Sequence, residues 1–198
     1  TPERKKIISR KRGYHGVTVA AASLTGLPYA QDGFALPLDF AKHTSSPHYF
    51  ADAFENETEV EFVGRLVKDL EELIEIEGAE TIGAFIAEPV MGAGGVIIPP
   101  KGYFDAIQKV LKKHSILFIA DEVICGFGRT GNMWGSETLS LKPDILTCAK
   151  ALSSAYLPIS AVLVSSEVVA GVEKQAANLG IFGHGYTYSA HPVSAAVA

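Results

Sequence analysis

The feature that most constrains the fold is a series of short, continuous apolar runs spaced along the chain. These runs cover residues 82–87, 116–120, 145–149 and 161–164. Apolar runs without polar alternation are typical of strands that are buried on both faces. A helical pattern over residues 103–113 separates the first two runs, so that strand and helix alternate. The alternation predicts an α/β fold of three layers, in which helices cover both faces of a mostly parallel sheet.

Segments outside these runs add a long helix and one irregular stretch. Thr58 and Glu61 have the spacing of a capping box, and apolar residues then repeat at helical spacing. This pattern predicts an amphipathic helix with Gly78 as its stop. Residues 27–57 contain prolines, aromatics and histidines without periodicity, which predicts a long surface segment without regular structure.

Basic residues cluster around one short apolar segment near the start of the chain. They occupy positions 4–6 and 10–12 and bracket an apolar run at 7–9. This arrangement predicts a strand with solvated ends, because a nucleic-acid surface needs Lys and Arg concentrated on one face. The overall charge agrees, since 17 Lys and Arg stand against 22 Asp and Glu, for a formal charge of −5.

Other features narrow the class of protein and its compartment. No stretch approaches the roughly 20 apolar residues of a membrane span, so we expect no membrane partner. Cys125 and Cys148 make neither a disulfide framework nor a metal-binding pair, which predicts buried free thiols and favours a cytoplasmic location. The six histidines lack metal-ligand spacing, so no metal site is expected.

Charged residues follow three of the apolar runs at the point where each predicted strand ends. Glu88, Asp121 and Lys150 stand directly after residues 82–87, 116–120 and 145–149. One such residue can simply mark the return of the chain to solvent. Three of them, with both signs of charge, are expected to meet at the carboxyl edge of the sheet, where parallel sheets hold their chemistry.

Lys150 and Asp121 have chemically complementary surroundings. The neighbours of Lys150 are small and mostly apolar, which predicts a partly dry amine suited to Schiff-base chemistry, although a surface lysine with a buried stem has the same pattern. Asp121 ends a buried strand, with Val123 as an apolar wall nearby. Pyridoxal phosphate (PLP) enzymes need such an anion at the pyridine nitrogen, so that the ring accepts electrons.

The glycine-rich loop at residues 91–95 does not have the spacing of a dinucleotide site. A GxGxxG motif that begins at Gly92 requires glycine at position 97, where Ile97 stands. The mismatch disfavours a nicotinamide oxidoreductase. We interpret the loop as one where the backbone passes close to other groups.

Five motifs together resemble the class III aminotransferases, which are fold-type I PLP enzymes. They are Gly-Tyr-His-Gly at 13–16, Ala-Glu-Pro-Val at 87–90, the run from Asp to Gly at 121–131, Lys-Ala-Leu at 150–152 and His-Gly-Tyr-Thr-Tyr-Ser at 184–189. The resemblance spans nearly the whole chain. The run at 121–131, followed by Lys150, is its most specific part.

The resemblance implies a role for each matching residue. Lys150 would form the Schiff base with PLP and move the proton, and Asp121 would pair with the pyridinium nitrogen. Tyr14 would stack on one face of the ring and Val123 would pack on the other. Lys150 and Asp121 are therefore the expected catalytic residues.

Two further residues complete the expected cofactor site. Glu88 would lie near the cofactor and help order the site. Thr187 would reach the cofactor phosphate of a neighbouring subunit, because the family builds its sites across a homodimer. The resemblance also implies that residues 1–198 are part of the large PLP-binding domain. A phosphate-binding segment upstream and a small domain downstream would lie outside them.

The expected reaction is transfer of an amino group from an ω-amino acid or amine to a keto acid. Ile124 stands where the γ-aminobutyrate–α-ketoglutarate enzymes carry glutamine, which favours the ω-amino acid–pyruvate branch. Another class III reaction, by an aminomutase or an amino-acid racemase, shares the same cofactor motifs. A non-catalytic domain that keeps the fold is the third alternative, and the presence of Lys150, Asp121 and Tyr14 argues against it.

Overall fold

The centre of the computed structural model, which describes residues 3–198, is a six-stranded sheet. Its strands are β1 (Lys6–Arg10), β2 (Ala41–Thr44), β3 (Ile82–Ala87), β4 (Leu117–Asp121), β5 (Ile145–Cys148) and β6 (Ala161–Val164). Their order in space is β2-β1-β3-β4-β5-β6. All neighbouring pairs are parallel except β5 with β6, so the prediction of a mostly parallel sheet is confirmed.

Seven helices accompany the sheet in the described residues. They are α1 (Val19–Leu24), α2 (Tyr49–Asp52), α3 (Glu59–Glu77), α4 (Tyr103–Lys113), α5 (Gly135–Thr138), α6 (Ser166–Leu179) and α7 (Pro192–Val197). Short 3-10 turns cover Pro28–Ala30, Ala79–Thr81 and Lys150–Leu152. No helix among residues 3–198 has the length and apolar character needed to cross a bilayer.

The helices form layers on both faces of the central strands, as the apolar runs predict, whereas β6 is exposed within the described residues. On one face α3 and α4 bury their apolar stripes against Phe85 and Phe118, which lie on β3 and β4. On the other face Leu24, at the end of α1, packs with Ile86 and Ala41. Because β3 is covered on both sides, its sequence is apolar without alternation.

Helix α3 begins and ends at the residues that the sequence indicates. The Thr58 hydroxyl accepts from the Glu61 N–H at 3.3 Å, and the Glu61 carboxylate accepts from the Thr58 N–H at 2.9 Å. Gly78 follows the last turn with a φ of +82°, a left-handed conformation that favours glycine. The predicted capping box and stop are both confirmed.

The prediction that residues 27–57 lack regular structure is wrong, because β2 lies inside them. The sequence of β2 is Ala-Lys-His-Thr, which contains no apolar run. Its position at the sheet edge explains this, since an edge strand pairs on one side only and tolerates charged side chains. Backbone pairing with β1, in the register Ile7 to Ala41 and Arg10 to Thr44, creates the strand.

Candidate active site

A pocket of about 90 Å³ opens at the carboxyl edge of the sheet, where four neighbouring strands end. The residues that line it are Tyr14, His15, Gly16, Glu88, Asp121, Val123, Ile124 and Lys150. They come from the loop after β1, the end of β3, the end of β4 and the turn after β5. The sheet register sets Ala87 beside Ala120, so Glu88 and Asp121 emerge side by side.

All but one of the site residues expected from the sequence lie in this pocket. Those brought together are Tyr14, Glu88, Asp121, Val123 and Lys150. Thr187 is exposed in a turn near the end of the chain and is not part of the lining. Its expected role toward a neighbouring subunit stays a prediction.

Asp121 is held in place by two hydrogen bonds before any ligand is considered. Asp121 is 6% exposed. One carboxylate oxygen, Oδ1, accepts from the Val123 N–H at 3.1 Å, and Oδ2 lies 2.8 Å from His15 Nδ1. A carboxylate has about four acceptor positions, so Asp121 keeps capacity for a further donor from the pocket.

His15 is the pocket residue that sequence reasoning missed. It belongs to the Tyr-His-Gly turn, but the sequence alone assigned it no role. The signal available was its position beside Tyr14, at the end of a strand expected to share the edge with Asp121. Its contact with Asp121 depends on the order of strands in the sheet, which the sequence does not state.

Glu88 ties two loops of the pocket together. Glu88 is 3% exposed, and its carboxylate accepts hydrogen bonds from the Tyr14 N–H at 3.0 Å and from the Gly92 N–H at 2.8 Å. These bonds satisfy the buried carboxylate and fix the backbone beside the aromatic ring of Tyr14. Glu88 therefore orders the pocket, while its approach to a cofactor stays a prediction.

Arg10 is buried, so the expectation of solvated strand ends is wrong at this position. The residue is 1% exposed, and its Nη2 donates to the Glu88 carbonyl at 2.6 Å. The guanidinium carbon lies 5.6 Å from the ring centre of Phe104 and 6.0 Å from that of Tyr103. Aromatic faces and one carbonyl thus surround the charge, and burial raises the pKa of the Tyr103 phenol. Helix α4, which is remote in sequence, supplies this cover.

Glu122 points away from the pocket although it follows Asp121 directly. Its carboxylate accepts from the backbone N–H groups of Gly135 and Ser136, at 3.0 and 2.6 Å, and so secures the start of α5. Burial raises the pKa of Cys125 to about 11, and the negative charges of Glu122, Glu88 and Asp121 add to this rise. Cys125 is therefore a neutral buried thiol near physiological pH, as the sequence predicts.

Glycines in the loop at 91–95 allow close approach, as expected. A Cβ on Gly92 would lie 2.3 Å from Ile124 Cδ1, and one on Gly94 would lie 2.2 Å from the Arg12 carbonyl oxygen. Ile124 therefore reaches the pocket wall over the bare backbone of Gly92. Among the described residues, no group of three or more His, Cys, Asp and Glu side chains has the arrangement of a metal site.

Comparison with known proteins identifies the family. The chain matches the family described as "Aminotransferase class-III" over residues 1–198. It belongs to the class III aminotransferases.

Similar proteins include plant and bacterial transaminases. "Gamma aminobutyrate transaminase 1, mitochondrial" of Solanum lycopersicum is 60% identical over 197 residues, and "Vanillin aminotransferase" of Capsicum frutescens is 55% identical. Each comparison covers 100% of this chain but only 38% and 43% of the relative. The chain thus spans about two fifths of the length of these relatives.

Solved structures agree with the family and the fold. The omega transaminase from Pseudomonas jessenii in complex with PMP is 56% identical, with a TM-score of 0.98, and the match covers 99% of this chain and 43% of that chain. A structure described as "Transaminase with L-ala" is 58% identical, also with a TM-score of 0.98, over 99% of this chain and 46% of that chain. The fold-type I architecture expected from the sequence is therefore confirmed.

Pyridoxal phosphate is the cofactor of this family, and the pocket residues fit its ring and its aldehyde. Asp121 offers an anion with acceptor capacity to spare, Tyr14 and Val123 offer aromatic and branched surfaces, and Lys150 offers a primary amine. Among residues 3–198, the lining contains no arginine and no lysine other than Lys150. The lining therefore offers no second cationic side chain to the phosphate.

Lys150 stands in a 3-10 turn two residues beyond the end of β5. It is exposed within residues 3–198, which span about two fifths of the length of the relatives, so the expectation of partly dry surroundings stays a prediction. The Lys150 backbone has a φ of +47°, a left-handed conformation that is strained for a residue with a Cβ.

Lys150→Gly and Lys150→Ala should separate this backbone strain from the loss of the amine. In the cofactor-free whole protein, we expect the free energy of unfolding of Lys150→Gly to exceed that of Lys150→Ala by about 1 kcal/mol, because glycine adopts a positive φ without a Cβ clash. Urea unfolding of the two variants measures the difference. Ala151→Gly is the control, since Ala151 has no positive φ and its replacement should lower stability by up to about 1 kcal/mol. Equal stability of the two Lys150 variants would contradict the strain.

Proposed function

We propose that the whole protein is a PLP-dependent transaminase that moves an amino group from an ω-amino acid or amine to a keto acid, with pyruvate as the acceptor. One observation carries the proposal: Lys150, Asp121 and Tyr14 line a single pocket at the carboxyl edge of the sheet. Membership of the class III aminotransferases supports it.

Each pocket residue has one task in the proposed reaction. Bound PLP supplies a ring that accepts electrons from the substrate carbon next to the amino group. Asp121 accepts a hydrogen bond from the ring nitrogen and keeps it protonated. Tyr14 and Val123 hold the two faces of the ring, and Glu88 keeps the Tyr14 backbone in place through its hydrogen bond.

Lys150 carries out the proton transfer in this proposal. Its Nζ would hold the aldehyde carbon of the cofactor, and as a neutral amine it would serve as the base beside the substrate carbon. Lys150 Nζ would take the proton from that carbon and would hold it for delivery to the cofactor. The reverse transfer serves the keto acid. The flexible four-carbon stem of the lysine would allow this movement between two carbons.

The substrate class rests on the pocket wall and on similar proteins. Ile124 presents an apolar side chain to the pocket, at the position where we expect glutamine in the γ-aminobutyrate–α-ketoglutarate enzymes. The tomato and pepper relatives are named for γ-aminobutyrate, which is an ω-amino acid, and for vanillin, which is an aldehyde that becomes an amine when it accepts an amino group. L-alanine, named with a similar solved structure, is the amino acid that forms when pyruvate accepts the amino group.

An isomerase of the same class is the competing reaction. An aminomutase or racemase returns the amino group to the same molecule, so it turns over a single amine without any keto acid. Product analysis with one donor, with and without pyruvate, distinguishes the two. Conversion without pyruvate would contradict the transaminase proposal.

We also propose that the protein is a homodimer in which Thr187 contacts the cofactor phosphate in the other subunit. The exposure of Thr187 and its absence from the pocket of its own chain support this. A mixed dimer of Lys150→Ala and Thr187→Ala subunits should recover activity that Lys150→Ala alone lacks, because one site keeps both residues. If Thr187 served its own subunit, the recovered activity would not exceed that of Thr187→Ala.

The cytoplasmic location stays a prediction, and several plant relatives are named as mitochondrial or chloroplastic.

Borohydride trapping should place the cofactor on Lys150. Reduction of the whole protein with PLP bound, followed by peptide mass mapping, is expected to give one pyridoxyl group per chain on Lys150, because reduction fixes the lysine–PLP bond. Lys150→Ala should take up none at this stoichiometry. The matched control Lys142→Ala, at an exposed lysine, should label like the wild type. A stoichiometric label on Lys150→Ala would refute the proposal.

Asp121→Asn should slow turnover while leaving the protein folded. A hydrogen bond to a charged group is worth about 1.5–3 kcal/mol, which corresponds to a roughly 10- to 100-fold loss in rate. Single-turnover absorbance of the cofactor measures this loss. Asp144→Asn is the matched control, because Asp144 binds the Phe118 N–H at the opposite edge of the sheet and should keep a rate within about twofold of wild type. An unchanged rate for Asp121→Asn would remove Asp121 from the mechanism.

A further inference from the structure

We propose that Gly26 and Gly94 are positioning residues that set the place of the Tyr14 ring, because both leave room for the backbone that leads to Tyr14. The inference rests on the proposed function and adds to it two residues outside the pocket lining. Neither glycine has a positive φ, so the constraint on each is space rather than backbone conformation.

Gly26 lies against the backbone that follows β1. A Cβ on Gly26 would be 2.2 Å from the Arg10 carbonyl oxygen and 2.9 Å from the Arg12 nitrogen. Both are backbone atoms, so no side chain can turn aside to make room. Hydrogen bonds also join the two backbones, because the Arg12 N–H donates to the Gly26 carbonyl at 2.7 Å and the Gly26 N–H donates to the Gly13 carbonyl at 2.8 Å.

Gly94 makes the second contact, from the loop at residues 91–95. A Cβ on Gly94 would be 2.2 Å from the Arg12 carbonyl oxygen, which is again a backbone atom. Arg12 has a φ of +67°, a left-handed conformation that is unfavourable for a residue with a Cβ. Such a conformation persists only where its surroundings hold it, and here two bare backbones pack against it.

The contacts reach Tyr14 through one buried residue. Gly13 separates Tyr14 from Arg12, and the Gly13 N–H donates to the Arg10 carbonyl at 3.0 Å. That carbonyl is the one that a Cβ on Gly26 would strike. A displacement of this backbone would therefore move the Tyr14 ring as well.

The loop at residues 91–95 is fixed to Tyr14 at a second point. The Glu88 carboxylate accepts from the Tyr14 N–H at 3.0 Å and from the Gly92 N–H at 2.8 Å. Because Gly92 is two residues from Gly94, a displacement of the loop at Gly94 would also change this pair of hydrogen bonds. The close approach at Gly94 thus affects the Tyr14 backbone by two routes.

Alanine at each glycine tests the inference in the whole protein with PLP bound. Ordinary contact of a Cβ begins at 3.4 Å, so each substitution should displace the backbone by about 1 Å. We expect Gly26→Ala and Gly94→Ala to lower the single-turnover rate per bound cofactor at least about 10-fold, because a misplacement of about 1 Å in an active site can cost that much or more. In a Tyr14→Ala background, either substitution should change this rate less than about twofold, since its effect passes through the ring that has been removed.

Gly64→Ala is the matched control. Gly64 is exposed on α3, and a Cβ there would meet no atom within 4 Å. Gly64→Ala should leave the rate per bound cofactor unchanged in both backgrounds. Equal losses from Gly26→Ala with and without the Tyr14 ring would overturn the positioning role, because the substitution would then disturb the fold rather than the ring.

Hydrogen exchange of the wild type tests the inference even if the glycine variants do not fold. The amides of Arg12, Gly13 and Tyr14 should be protected in the cofactor-free protein, because each donates within the held backbone. Exchange of these amides as fast as that of exposed amides contradicts a fixed Tyr14.

The remaining outcomes separate this inference from the proposed function. Folded Gly26→Ala and Gly94→Ala proteins with wild-type rates overturn the positioning role and leave the proposed function intact. Failure of the wild-type protein to take up PLP on Lys150 overturns the proposed function, and the role of the two glycines with it.

Discussion

The site depends on the parallel register of four strands. Because β1, β3, β4 and β5 are parallel neighbours, their carboxyl ends meet at one edge. Residues far apart in sequence thereby reach the same pocket without long loops of their own. Ala87 pairs with Ala120, and Asp121 with Thr147, so a shift of one residue in either pair would turn Glu88 or Asp121 toward a helix layer. The register of these strands therefore also fixes the chemistry of the edge.

Three buried carboxylates share this edge, and each is stabilised by donors from the protein. Glu88 takes two backbone N–H groups, Glu122 takes the N–H groups that begin α5, and Asp121 takes one backbone N–H and His15. Burial of an unpaired charge is costly, and these hydrogen-bond donors offset the desolvation cost of each carboxylate. The donors also give the three carboxylates different roles. The acceptor positions of Glu88 and Glu122 serve loops and a helix, while Asp121 keeps capacity toward the pocket.

The sequence predicts those parts of the molecule that depend on local pattern. The strand over residues 82–87, the helix over 103–113 and the capping box at Thr58 follow from periodicity and caps, and they agree with the structure. Convergence of charged residues at the carboxyl edge follows from a rule about parallel sheets. Three features were missed or misjudged because they depend on partners remote in sequence: the edge strand β2, the buried side chain of Arg10 and the contact of His15 with Asp121.

The two central residues of the site differ in how they are attached to the fold, and the difference suits their proposed tasks. Asp121 lies at the end of a strand, buried and held through both oxygens, as a fixed counter-charge must be. Lys150 lies two residues beyond the end of its strand and has a left-handed backbone conformation. A residue in that conformation persists only where its surroundings hold it, and here it aims a long flexible stem back toward the pocket. The fold thus gives a rigid support to the proposed counter-charge, and a long flexible side chain to the residue that is proposed to carry a proton between two atoms.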